Sequence, residues 1–372
     1  MISEDDLVQQ CMTTLSDLLG AEWEVTRRPG KEARVFDAVF EVKAQGDSTF
    51  TQLAVAAKQS VTPRTVETRL VPQVELLREF NNFTNLLVVA PWLSPPTRKL
   101  LEEHGIGYLD LTGNVRLRVS RPAIVIHTVG AVRAPKSAAV TGSKTTLAGP
   151  KAGRLVRLLA DVPPPHRGVD LQRATGLSLA YVSRLLDTLE GQLLIRREGR
   201  TITQVDWLML LRARAQESGL LTRGTYTGMI APNGVPALLQ QIPQLPLEYV
   251  DGLAITGSFA AQRFAQVAVG GQLMLYVAPW LNVDDVADEL GLLPVTDGAD
   301  VLLLNEPDPF VRARAEFVDG VQYVAPSQAV LDCLSGPGRM PAEGEALLDF
   351  MERWPEEWRR SQNASETPPV RH

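Results

Sequence analysis

Leu7, Cys11, Leu15, Leu18 and Leu19 recur at helical spacing behind Ser3, which predicts an amphipathic helix over 3–19 with Ser3 as its N-cap. Strand-type runs follow at 22–28, 34–43 and 50–59, with Pro29-Gly30 and Gln45-Gly46-Asp47 marking turns between them. A helix over 66–81, a buried-type strand at 85–91, a helix over 94–103 and a short strand at 107–110 complete the order α-β-β-β-α-β-α-β. Residues 131–150 have no periodicity and are dominated by Ala, Pro, Ser, Gly, Thr and Lys. They read as a basic linker that closes a first domain over 1–130.

A different pattern occupies 151–206. Leu155, Val156, Leu158 and Leu159 predict a helix ended by Pro163-Pro164-Pro165, and a short helix from Asp170 to Ala174 stops at Thr175-Gly176. A third helix begins at the Ser178 cap and carries Val182, Leu185, Leu186 and Leu189 at i, i+3, i+4 and i+7. Residues 193–203 then read as a two-stranded hairpin around Glu198-Gly199. This is the order of a winged helix-turn-helix.

From 215 to 354 strands and helices alternate again: strand 250–256, helix 258–268, strand 272–278, helix 283–290, strand 299–304, helices 327–334 and 342–353. Residues 355–372, polar and Pro-containing toward their end, are expected to be a disordered tail. The fold class expected is α/β and α+β multidomain.

Charge changes this picture more than composition does. The chain of 372 residues carries a net −6, but residues 133–214 hold 14 Lys/Arg against 6 Asp/Glu, a local +8. Residues 215–372 hold 9 against 21, a local −12. A concentrated positive field suits a polyanion, because neutralising phosphates releases condensed counterions. A solvated basic face is the other reading of the same charge. No apolar run approaches a membrane span, the first residues are acidic where a signal peptide would be basic, and the two cysteines, Cys11 and Cys333, lie far apart. A cytoplasmic protein without disulfides, metal or cofactor is expected, with no membrane partner.

On a helical wheel Val182, Leu185, Leu186 and Leu189 share one side, which turns Ala180, Tyr181, Arg184 and Asp187 outward with Ser183 at the margin. Arg184 can bond guanine bidentately in a major groove, and Tyr181 or Ser183 can reach a base edge or phosphate. Arg196, Arg197 and Arg200 place the wing along phosphates, and Ser178, Lys151 and Arg154 complete the expected DNA-binding set. Winged helices also serve as protein–protein modules, a reading that the basic balance disfavours.

The first domain resembles the restriction-endonuclease-like (PD-(D/E)XK) fold, with Asp37 on its second strand and Lys58 on its third. The resemblance implies a metal-dependent nuclease only if an acid stands two residues before the lysine, and that position is Ala56. Glu41 lies on the strand of Asp37, about 13 Å away in extended chain and too far to share an ion. Asp37 and Lys58 are therefore read as the remnant of a lost site, with Asp110 as a structural turn residue. In the C-terminal domain Thr256-Gly257-Ser258 is similar to the opening of a nucleotidyltransferase site. No Asp or Glu occurs between Asp251 and Asp284 to bind magnesium, so Ser258 is expected to be a helix N-cap.

Gly107-Tyr108-Leu109-Asp110-Leu111-Thr112-Gly113-Asn114, Ser183-Arg184-Leu185-Leu186, Thr256-Gly257-Ser258 and Tyr323-Val324-Ala325-Pro326-Ser327 together resemble bacterial helix-turn-helix proteins related to type IV (AbiEi-like) antitoxins. That resemblance implies a repressor of operator repeats, a nucleotidyltransferase-like C-terminal domain and a functional link to a nucleotidyltransferase toxin. The expected function is a non-enzymatic, sequence-specific regulator of double-stranded DNA, as a monomer or a homodimer. A nuclease using Asp37, Glu41 or Asp110, and Lys58, and a partner-binding scaffold are the competing readings.

Overall fold

A computed structural model describes residues 2–28, 36–80, 84–131, 146–265 and 270–359, without the side chains of 76 and 78–80. The protein is mixed α/β and forms two compact units, one of residues 1–144 with 187–193 and the other of 145–186 with 194–372. Among the described residues no helix is long and apolar enough to cross a membrane.

In the first unit, α1 (Glu4–Leu19) starts with a reciprocal cap in which Ser3 Oγ accepts from the Asp6 amide and the Asp6 carboxylate from the Ser3 amide. Seven strands follow: β1 (Trp23–Arg27), β2 (Ala38–Ala44), β3 (Phe50–Ala57), β4 (Thr84–Ala90), β5 (Gly107–Asp110), β6 (Val115–Val119) and β7 (Ile124–Thr128). They lie in sequence order in one sheet, parallel from β3 to β5 and antiparallel elsewhere. Alternate residues of β3 and β4 serve two cores. Leu53, Val55, Leu87 and Val89 pack with Leu7, Cys11 and Leu15 of α1, while Ala54, Ala56, Leu86 and Val88 pack with Val66, Leu70 and Leu101. Burial on both faces is why these strands read as unbroken apolar runs.

The helix expected at 66–81 begins earlier, at α2 (Pro63–Thr65), because Thr62 caps it by accepting from the Thr65 amide. It continues through a π-helical stretch, Val66–Leu70, into α3 (Val71–Phe80). Then α4 (Pro95–Glu103) is capped by Ser94. Strands β6 and β7 were not expected. The Pro29-Gly30 turn, the start of the 34–43 strand, residue 81 and most of the 131–150 linker (132–145) lie outside the described residues.

The second unit opens with α5 (Pro150–Asp161), β8 (His166–Arg167), α6 (Gly168–Thr175), α7 (Leu179–Gly191, of which 187–191 are counted with the first unit), β9 (Ile195–Glu198) and β10 (Thr201–Val205), with sheet order β8-β10-β9. Next come α8 (Trp207–Glu217), β11 (Tyr226–Ile230), α9 (Val235–Gln241), α10 (Leu247–Gly252), β12 (Leu253–Thr256), α11 (Gly257–Ala261), β13 (Leu273–Val277), α12 (Val283–Glu289), β14 (Leu293–Pro294), β15 (Val301–Asn305), β16 (Glu316–Val318), β17 (Val321–Tyr323), α13 (Pro326–Leu334), α14 (Met340–Arg353) and α15 (Pro355–Trp358). The larger sheet runs β14-β11-β15-β13-β12-β17-β16 around Ile255, Leu273, Leu275, Val301 and Leu303. The strand expected at 250–256 is halved because α10 takes its first residues, and the helix expected at 258–268 ends already at Ala261, with 266–268 outside the described residues.

Two departures from expectation share a cause. Residues 207–217, left unassigned in sequence, form α8, and the tail expected to be disordered from 355 instead packs as far as Arg359. Trp358 is buried with its indole N–H donating to Met351 O at 2.9 Å, its ring lies edge-on to Trp207 at 4.8 Å, and Arg359 Nε donates to Ala160 O at 2.9 Å. Aromatic area buried against a distant helix overrides the polar local composition. Residues 360–372 lie outside the described residues.

Candidate nucleic-acid interface

Pro150 sits in the first turn of α5, where its fixed φ fits and its missing N–H costs nothing, and the helix stops before the three prolines that cannot continue it. Helix α6 ends at Gly176, which adopts φ 67°, so the chain turns within Gly176-Leu177-Ser178 into α7. Ser178 Oγ accepts from the Tyr181 amide at 3.3 Å. On α7 Val182, Leu185, Leu186 and Leu189 are buried, while Ser178, Ala180, Ser183, Arg184 and Asp187 are exposed and Tyr181 is half-buried. Burial holds the Tyr181 hydroxyl above its ordinary pKa against the pull of Arg214 and Arg184, so it is a hydrogen-bond donor at neutral pH.

The β9–β10 hairpin turns through Gly199-Arg200, with Gly199 at φ 61° as the first central residue, a position where a side chain would be strained. Arg196 and Arg200 are exposed on it and Arg197 is half-buried. Lys151 is exposed in the first turn of α5. Arg167 and Arg173, which the sequence reading passed over, are exposed on the neighbouring β8 and α6, Arg173 beside Asp170 at 3.6 Å. Only their position next to the turn into α7 could have marked them.

Arg154 is half-exposed and already engaged by other groups of the second unit. Its Nε donates to both oxygens of Asp308, at 3.0 and 2.9 Å, and its Nη1 to Thr175 O at 3.1 Å. Arg157 and Arg214 are withdrawn from solvent, at 1% and 4% exposure. The +8 segment thus spends part of its charge inside the fold. Helical periodicity could not reveal this, since an acidic partner 154 positions away in sequence is invisible to it.

In the first unit Asp37 Oδ2 accepts from the Ala57 amide at 2.8 Å and from Lys58 Nζ at 3.0 Å, and Lys58 lies 3.5 Å from Glu4. The β2–β3 register, continued by the Asp37 amide bonding to Val55 O, sets Asp37 opposite Ala56. Ala56 is buried in the apolar cluster with Val61 and Val66. Glu41 pairs with Arg28. Asp110, 2% exposed, accepts from the amides of Leu93, Thr112 and Asn114 and from the Thr112 hydroxyl and Asn114 side-chain amide. Five donors on one carboxylate make it the organiser of a turn. Among the described residues no three His, Cys, Asp or Glu side chains are grouped to hold a metal ion.

Ser258 is not the N-cap of α11. That position is Thr256, and the buried Ser258 hydroxyl donates to Glu343 instead. Thr256 Oγ1 and the Tyr276 hydroxyl both donate to Asp332, at 2.6 and 3.0 Å. Burial and that carboxylate push the Tyr276 hydroxyl far above its ordinary pKa. The Thr256-Gly257-Ser258 segment therefore feeds an interior polar network.

Comparison with protein-family models, with curated proteins and with solved structures finds no match to this chain.

Proposed function

We propose that this chain is a sequence-specific double-stranded DNA-binding regulator acting as a repressor. In this reading α5, α6, α7 and the β9–β10 hairpin form a winged helix-turn-helix. What carries it is the row of exposed Ala180, Ser183 and Arg184 with half-buried Tyr181 on α7, followed in the same chain segment by exposed Arg196 and Arg200 on the hairpin. A helix with an exposed face carrying Arg and Tyr near its start fits a major groove, and a basic hairpin fits the adjoining phosphates. The first unit is read as a restriction-endonuclease-like fold without its chemistry, and the larger sheet of the second unit as nucleotidyltransferase-like and catalytically silent.

Binding of duplex DNA should depend steeply on salt. Besides Arg154, which Asp308 holds, the exposed or half-exposed cations among residues 151–206 are Lys151, Arg167, Arg173, Arg184, Arg196, Arg197 and Arg200. If about four to six of them meet phosphates, log K falls with log salt at a slope of about −4 to −5 per chain. Fluorescence anisotropy between about 50 and 200 mM salt reads it; a flat profile rejects the proposal.

The purified protein is expected to leave supercoiled, linear and single-stranded DNA uncut with magnesium or manganese. Asp37, with the Lys58 ammonium on the same oxygen, presents as much positive as negative charge to a cation that needs several oxygen ligands. Metal-dependent cleavage lost in both Asp37→Ala and Lys58→Ala would make the chain a nuclease.

A further inference from the structure

A cavity of about 50 Å³ in the second unit is lined by Arg154, Arg157, Arg214 and Arg223, with Asp308 and Gln328 among its walls. That is several times the roughly 10–15 Å³ one water needs. Three of the four guanidiniums are matched by carboxylates. Arg154 holds Asp308, Arg157 holds Asp161 at 3.3 Å, and Arg223 Nη1 donates to Asp332 at 2.9 Å. Arg214 has no such partner among the described residues. Its side chain is buried, and its Nε and Nη1 have no hydrogen-bond acceptor, nor has Arg223 Nε.

Burial, with Arg223 nearby, pushes the Arg214 guanidinium down to about 10, still cationic at neutral pH. Glu217 and Asp332 act on it only at longer range, and Glu217 is engaged by the Leu147 amide at 2.6 Å. A buried cation whose donors have no acceptor is costly unless an anion supplies one. The first turn of α5 borders the same space through Pro150 and Gly153. Its N-cap, Gly149, has no side chain to satisfy the free amides of that turn. Gly153 also leaves room for the cation, since a Cβ there would stand 3.1 Å from Arg214 Nη2.

We propose that this cavity binds a phosphate-class oxyanion, either inorganic phosphate or the phosphoryl group of a small monoester, with Arg214 as its principal cation and Arg223 Nε and the α5 first turn as further donors. Arg154, in the cavity wall, also holds the Thr175 carbonyl at the end of α6. An anion there competes with Asp308 for that guanidinium and so acts on the turn that leads into α7. On the regulatory reading proposed above, occupancy changes DNA affinity.

Calorimetric titration of the full chain at constant ionic strength, with inorganic phosphate, with glycerol phosphate and with chloride as control, tests the site without DNA. The expected result is one saturable phosphate site per chain that Arg214→Gln weakens by roughly tenfold or more, as for a lost charged hydrogen bond, while Arg214→Lys retains part of the affinity. Binding by glycerol phosphate alone assigns the site to a monoester. No saturable binding or phosphate-dependent rise in Tm in the wild-type protein overturns the proposal, as does equal binding by wild type and a folded Arg214→Gln. DNA affinity unchanged at phosphate saturation overturns the coupling and leaves the site. Failure to bind DNA at all overturns the regulatory reading alone.

Discussion

Arg157→Ala is expected to destabilise the second unit by about 3–5 kcal/mol, the range for breaking a buried ion pair by removing one partner. The Arg157 side chain lies almost wholly inside the protein. Its Nε donates to Ser327 Oγ at 3.0 Å, its Nη1 to Phe310 O, Val311 O and Gln328 Oε1, and its Nη2 to Ala313 O and Asp161. Truncation strands these acceptors and leaves the Asp161 carboxylate, whose Oδ1 already lacks a donor, as an uncompensated buried charge. Arg157→Met fills volume without serving any acceptor and should recover little. Arg157→Met combined with Asp161→Leu removes the charge on both sides and should recover much of the loss. Urea denaturation gives the comparison through the midpoint at constant m. A loss below about 1 kcal/mol for the single truncation would mean that water replaces the guanidinium.

Arg184→Ala should remove sequence preference while leaving weak binding to any duplex, because a bidentate base contact carries about 1–3 kcal/mol of discrimination. Arg200→Ala, on the tip of the hairpin, should instead weaken specific and random DNA alike and reduce the salt slope by about one. Anisotropy titrations on a footprinted site and a scrambled duplex separate the two. Identical behaviour of both variants would mean that α7 and the hairpin do not divide the work of reading and anchoring.

Local physics made much of the chain legible before any coordinates. The i, i+3, i+4, i+7 row from Val182 to Leu189 defined which face of α7 is buried, and so which residues stand outward. Thr175-Gly176 and Glu198-Gly199 marked turns that need positive φ. Asp37 and Lys58 were brought together by the resemblance to the restriction-endonuclease-like fold, and their 3.0 Å contact follows from the β2–β3 register. Strand β6 was missed although Arg116 and Arg118 alternate with Val115, Leu117 and Val119 as in a half-buried strand, beyond a turn organised by the buried Asp110.

What the sequence by itself determined were the features set by neighbours within a few residues: helix faces, caps, turns, and the segment in which positive charge is concentrated. Tertiary structure alone decided which of those charges face solvent. Arg154, Arg157 and Arg214 lie in the same basic stretch as Arg184 and Arg200, yet Asp308, Ser327 and Gln328 bind the first two and the third is buried in the wall of a cavity. Asp308, Ser327 and Gln328 stand more than a hundred residues from the arginines they bind, and a guanidinium's choice between solvent and the interior depends on desolvation and geometry that no local pattern encodes.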